Sequence, residues 1–163
     1  MLSLISNAVT VVAHKVATAV KTVTSVVYDR ASFVSDSKWG KVRRSIVARD
    51  VFGDHWVCKY TGEVVTDRSK LDVDHIVPLK YAWINGASKW DVSKRQALAT
   101  DPDNLISVTA HINRSKGDDG LLLFVPNLNK DFYVKHWKIV TDRYGIKLST
   151  AEKKVITKYG TNK

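Results

Sequence analysis

Cysteine is almost absent. The 163 residues hold one, Cys58, which excludes an intramolecular disulfide and any zinc site built from several thiolates. The composition therefore fits a reducing compartment. Cys58 sits among His55, Trp56, Val57 and Tyr60, the surroundings of a buried, inert thiol. Acidic residues are also short, 16 against 26 Lys and Arg, for a formal charge of +10 and a pI near 9.7. That balance favours a polyanionic partner, nucleic acid ahead of an anionic membrane; solubility alone is the bland alternative. No uncharged apolar run reaches the roughly twenty residues that cross a bilayer, because His14, Lys15 and Lys21 interrupt the first one. The same segment lacks a basic stretch ahead of its apolar residues, which disfavours a secretory leader. Internal repeats and low-complexity tracts are absent, and the length suits one domain with an appended element.

What is present begins with a stripe. Between Met1 and Tyr28 there is no Pro or Gly, and Leu2, Ile5, Val9, Val12, Val16, Val20, Val23 and Val27 recur at spacings of three and four, the period of an amphipathic helix. Many of its residues are β-branched and helix-indifferent, so packing against another surface has to hold it. The expected organisation is an N-terminal amphipathic helix over 1–30, for packing, oligomerisation or tethering, followed by one domain over 31–163. A homodimer or protein partner through this helix is the favoured use, and a membrane surface the disfavoured one.

The rest of the chain reads as α+β. Residues 29–50 form a linker running into a helix. Two strands, near 55–59 and 62–66, flank a turn at Tyr60-Thr61-Gly62. Lys89–Ala99 reads as a helix, DPDN at 101–104 as a turn, Leu105–Val108 as an apolar strand, and Thr109–Lys116 as a helix ended by Gly117. A loop follows at 124–129. Asp131–Tyr144 and Ser149–Tyr159 read as helices, the second with Ser149 or Thr150 as N-cap and Glu152 in its first turn. Trp83, Trp90, Trp137 and Tyr133 are expected in the core.

Between these elements, LDVDHIVPLK at 71–80 is an apolar strand pattern carrying Asp72, Asp74 and His75 and broken by Pro78. A strand gains nothing from three ionisable side chains in four positions. Asn104 follows twenty-nine residues after His75 and Asn113 nine after that, so a carboxylate, an imidazole and an amide converge where a strand pair meets a helix. DVDHIVP at 72–78, the nine-residue step, and NRSKGD at 113–118 together resemble the ββα-metal core of the HNH endonucleases. The longer pattern over 55–145 is similar to a phage and restriction-type HNH subfamily.

The resemblance implies an α+β fold, a small antiparallel hairpin with a helix on it and further helices around, and metal-dependent hydrolysis of DNA phosphodiesters. Such a reaction needs a base, a hard cation and positive charge for the transition state. His75 is the candidate base. Asp74 and Asn113 are the candidate metal ligands through oxygen, which suits Mg²⁺, or Mn²⁺, over Zn²⁺. Family members with a late histidine hold softer metals, whereas this chain has Asn113 and then Gly117.

Asn104 carries over as the residue that ties the loop so that His75 stays oriented. Arg114 and Lys116 are candidates for phosphate contact. Asp72 alternates with Asp74 onto one strand face, as a support for the metal's water shell, as an orienter of a neighbour or as a solvated edge carboxylate. His111, about 200° around the helix from Asn113, is set aside, as are His14, His55 and His136. Lys38, Lys41, Arg43, Arg44 and Arg49, with Trp39 among them, form the densest basic cluster and the expected nucleic-acid surface.

One active site implies nicking, and the absence of a recognisable DNA-reading motif implies low sequence specificity. The rivals are a non-cleaving nucleic-acid-binding protein on the same scaffold, and a membrane- or virion-attached nuclease or toxin. A cytoplasmic location, with virion association as its variant, completes the expectation.

Overall fold

The computed structural model describes residues 27–160. The helix expected over 1–30 lies, but for its last residues, outside them. Among the described residues the architecture is mixed α+β: two small antiparallel two-stranded sheets and six α-helices. Among the described residues no helix is long and apolar enough to cross a membrane.

The first helix, α1 (Asp36–Arg49), starts where the Ser35 side chain accepts from the Lys38 N–H, a standard N-cap. The strands β1 (Trp56–Val57) and β2 (Val64–Val65) pair antiparallel with Trp56 opposite Val65. They are shorter than the five-residue strands expected, because the chain between them is spent on a tight turn in which the N–H of Gly62 reaches Cys58 O at 2.7 Å. Gly62 has φ 76°, a backbone conformation that requires glycine.

The second hairpin positions the site. β3 (Leu71–His75) and β4 (Leu105–Thr109) pair in the register Leu71–Thr109 through His75–Leu105. Odd-numbered residues of both strands turn one way: Leu71, Val73 and Leu105 pack with Ile46 and Val47 of α1 and with Val65. Even-numbered ones turn the other way, and Ile106 and Val108 join the larger core with Tyr60, Trp83, Leu98, Tyr133 and Trp137. Among the described residues the sheet has two strands, which leaves one edge of β3 without a neighbouring strand. The helix α4 (Ala110–Lys116) follows β4 directly and packs against both strands. It ends at Gly117, whose φ of 52° and ψ of −129° suit glycine alone.

The β3–β4 crossover carries α2 (Leu79–Ile84), absent from the sequence reading, and α3 (Val92–Thr100). α3 begins three residues later than expected: Trp90 is extended, and the Asp91 side chain caps the helix by accepting from the Lys94 N–H at 2.7 Å. The helices α5 (Lys130–Tyr144) and α6 (Thr150–Gly160) close the domain. Ser149 and Glu152 form a reciprocal capping box, Glu152 Oε2 accepting from Ser149 N at 2.8 Å and Ser149 Oγ from Glu152 N at 3.3 Å. Glu152 Oε1 also takes the Tyr81 hydroxyl at 2.7 Å and so ties α6 to α2. Trp83, Trp137 and Tyr133 are buried and Trp90 is packed against the same core, as expected. Cys58 is fully buried.

Candidate active site

A cavity of about 290 Å³ opens at the free edge of β3, lined by Asp72, Asp74, His75 and Asn113 together with Arg30, Trp39 and Arg43. Strand alternation puts Asp72 and Asp74 on the α4 face and His75 on the α1 face. Both faces reach the cavity because no further strand covers the edge.

Asp74 is buried, with both carboxylate oxygens engaged: Oδ1 accepts from Lys116 Nζ at 2.9 Å and Oδ2 from the Tyr60 hydroxyl at 2.7 Å. Each oxygen keeps a second lone pair. Burial pushes the Asp74 carboxyl up from its ordinary range, while Lys116 and Tyr60 pull the other way. Burial, with Asp74 beside it, pushes the Tyr60 hydroxyl well above the usual tyrosine range, so it serves as a donor at all working pH.

Lys116 does not project toward a phosphate. Its side chain is fully buried, and the ammonium also donates to His75 O at 2.9 Å. α4 packs flat on the sheet, and at this position the inner face of the helix meets two acceptors that need a cation. Arg114, two residues earlier, is exposed.

The His75 ring is held from two sides. Nε2 lies 2.9 Å from Ala99 O; a carbonyl only accepts, so Nε2 carries the proton and Nδ1 the lone pair. Trp39 stacks on the ring at 5.0 Å between centroids and 19° between planes. Burial lowers the pKa of His75 to about 3, so the imidazole is neutral at neutral pH. It is held as a free base.

Asn104 is wholly buried and fixes the loop behind His75: its Oδ1 accepts from Val77 N at 2.7 Å, its Nδ2 donates to Val77 O and Leu98 O, and its own carbonyl accepts from Ile76 N. Leu98 precedes Ala99, so one amide locks both the strand end that bears His75 and the helix end that receives its ring. The clamp of Arg143 on Asp101 and Asp103, each at 2.6 Å, anchors this loop to α5.

Asp72 faces Asn113, whose Nδ2 lies 3.3 Å from its Oδ2, and Arg43 at 3.6 Å from its Oδ1. That leaves Oδ1 of Asn113 as the atom it can offer. His111 sits outside the cavity, with Nδ1 against Thr109 Oγ1. Among the described residues no three His, Cys, Asp or Glu side chains gather as a metal-binding group. The side-chain oxygen donors lining the cavity are those of Asp74, Asn113, Asp72 and Asp118, the last paired with Lys80 at 3.4 Å, a set that fits a hard cation such as Mg²⁺ or Mn²⁺.

The basic cluster on α1 divides. Arg49 is committed to the fold, donating to Pro102 O, Leu105 O and Asp50 Oδ1. Lys38 reaches Gln96 Oε1 at 3.3 Å, and Arg43 donates to Leu71 O at 2.7 Å while still lining the cavity. Lys41 and Arg44 are exposed, without a hydrogen-bond or ion-pair partner among the described residues.

Residues 27–158 match the family described as GmrSD restriction endonucleases, C-terminal domain. The chain belongs to this family. The match to the GmrSD C-terminal domain runs from the cavity rim at Tyr28 to α6 and takes in every candidate site residue. An uncharacterized secreted protein of Arthroderma benhamiae is 39% identical over 106 residues, covering 63% of this chain and 52% of that protein. The chain thus spans about half the length of this curated relative. No solved structure matches.

Sequence reasoning missed four contributors: Tyr60, Trp39, Arg30 and the Ala99 carbonyl. Tyr60 had a signal, as the tyrosine opening the Thr61-Gly62 turn. The carbonyl had none, because a backbone atom leaves no trace in composition.

Proposed function

We propose that this domain is a metal-dependent endonuclease of the HNH type, a ββα-metal fold built on β3, β4 and α4, that hydrolyses DNA phosphodiesters. Membership in a restriction-endonuclease family supports nuclease chemistry and DNA as the substrate. The single observation that carries the finer reading is His75, a neutral imidazole with its proton pinned at Nε2 and Nδ1 free, beside an oxygen-only donor set at one cavity edge.

His75 Nδ1 takes the proton from the attacking water, and the Nε2–Ala99 bond steadies the imidazolium that forms. Trp39 and Asn104 keep the ring aimed, which lowers the cost of orientation at the moment of reaction. Asp74 and Asn113 are the residues that would hold the cation, with Asp72 orienting Asn113. When bound, the cation supplies Lewis-acid stabilisation of charge on the phosphate. Lys116 counters the effect of burial on the Asp74 carboxyl, and Tyr60 fixes its plane. Arg43 and Arg30, which also line the cavity, supply positive charge there.

One cavity handles one phosphodiester, so each encounter nicks one strand. With no groove-reading element beside the site among the described residues, cleavage has low sequence specificity.

Chelation followed by add-back tests the reading. Plasmid relaxation should stop in EDTA, return with Mg²⁺ or Mn²⁺ and not with Ca²⁺ at the same concentration. Full relaxation in EDTA would remove the metal from the account.

A further inference from the structure

A second concavity, of about 540 Å³, lies beside the catalytic one, formed by α1 and the short turn Arg68–Lys70 that leads into β3. Arg43, Arg44 and Arg68 line it with Gly40, Val47 and Ser69, and no carboxylate does. Arg43 lines the catalytic cavity as well, so the two concavities share a wall. The nearest acid in sequence, Asp67, does not line the groove, and its Oδ1 is engaged by the backbone N–H of Ser69 at 2.9 Å and the Ser69 hydroxyl at 2.7 Å. Arg44 and Arg68 have exposed side chains with no side-chain hydrogen bond or ion pair among the described residues.

Gly40 adds an independent sign. It stands inside α1, where glycine costs about 1 kcal/mol relative to alanine. Packing does not demand it: a Cβ there would meet only Arg44 Nη1, at an ordinary 3.6 Å. Its effect is to leave the floor of the groove open.

We infer that this groove is a binding site for the nucleic-acid backbone, seating the phosphates next to the scissile one as the strand leaves the catalytic cavity past Arg43. Guanidinium groups grip phosphate oxygens in pairs and read no base, so the groove adds affinity without sequence preference. An acidic protein would match the charge equally well. Continuity with a cavity proposed to hold a phosphodiester decides for nucleic acid. The inference rests on the nuclease reading for the identity of that phosphodiester.

The test is binding of a fluorescent 30-base-pair duplex in EDTA, across a salt series, by the full chain carrying His75→Ala. Cleavage plays no part in it, so an inactive protein would sink the nuclease reading and leave this measurement standing. Adding Arg44→Ala and Arg68→Ala should weaken binding on the order of tenfold and lower the slope of log K against log salt by roughly 1.8, about 0.9 for each lost phosphate contact. Lys153→Ala with Lys154→Ala, which removes the same charge from exposed positions on α6, should leave the slope unchanged. Gly40→Leu should weaken binding while holding or raising the melting temperature. Equal losses from both double variants would reduce the groove to net charge and overturn the inference. So would poly-glutamate binding that depends on Arg44 and Arg68 when duplex binding does not.

Discussion

Lys116 Nζ lies 2.9 Å from Asp74 Oδ1, and neither side chain is more than 5% exposed. A buried pair of this kind contributes little over an apolar pair, but breaking it strands a charge. Lys116→Met should therefore cost about 3–5 kcal/mol in urea unfolding. It should also move the acid limb of the cleavage rate to higher pH. Asp74 is already raised by burial, and Lys116 is the largest influence holding it down. An unshifted acid limb would mean that Lys116 serves only the fold.

Tyr60 donates to the other Asp74 oxygen from a turn fourteen residues upstream. A hydrogen bond to a charged acceptor contributes about 1.5–3 kcal/mol. Tyr60→Phe keeps the packing and removes only the donor, so its loss should fall in that range. The metal concentration that gives half-maximal rate should rise as well, since the carboxylate loses one of its two fixed points.

His75 makes stability depend on pH. Its folded pKa, about 3, lies below the ordinary 6.5, so between those values the unfolded chain binds the extra proton. Stability falls as pH drops through that window, by up to about 1.4 kcal/mol per pH unit. Asp74 acts in the opposite sense, because its folded pKa is raised: its contribution is present below its ordinary value and is lost as pH rises through the folded one. The difference between wild type and His75→Asn isolates the histidine. That difference should vary steeply between pH 6.5 and 3 and level off above 6.5.

Asn104→Ala should destabilise by about 2–4 kcal/mol, because it leaves the Val77 N–H and the Val77 and Leu98 carbonyls without their side-chain partner in a buried loop. Its kcat should fall more than its affinity for DNA, since the loop orients His75 and touches no substrate. Equal losses in kcat and binding would point to general unfolding of the site.

Much of this was legible because period and turn chemistry are local. The β3 and β4 runs, the Gly117 stop and the N-cap of the last helix at Ser149 or Thr150 with Glu152 in its first turn all follow from residues within a few positions of one another. Asp74, His75 and Asn113, which line one cavity, are far apart in sequence and are linked by the spacing of one motif rather than by local chemistry. The less legible parts depend on distance in the fold. Lys116 reads from sequence as a candidate phosphate contact, and only the flat packing of α4 on the sheet shows that it faces inward. Arg49 reads as a phosphate clamp until the β3–β4 crossover brings Pro102 and Leu105 carbonyls to its nitrogens. Lys89–Ala99 was placed too early because helix propensity runs through Trp90, whereas the Asp91 cap decides the start. The short helix Leu79–Ile84 follows Pro78 without a side-chain cap and carries too few residues to show a period.

The most direct test of the central claim is single-turnover nicking of supercoiled plasmid in Mg²⁺, comparing wild type with His75→Ala after confirming that both fold. Wild type should convert supercoiled to open-circular DNA ahead of any linear product, and His75→Ala should be slower by about 10²–10⁴, the usual contribution of a positioned base. Equal rates for the two proteins would contradict His75 as the base. Binding of the plasmid by wild type without scission would contradict the nuclease itself.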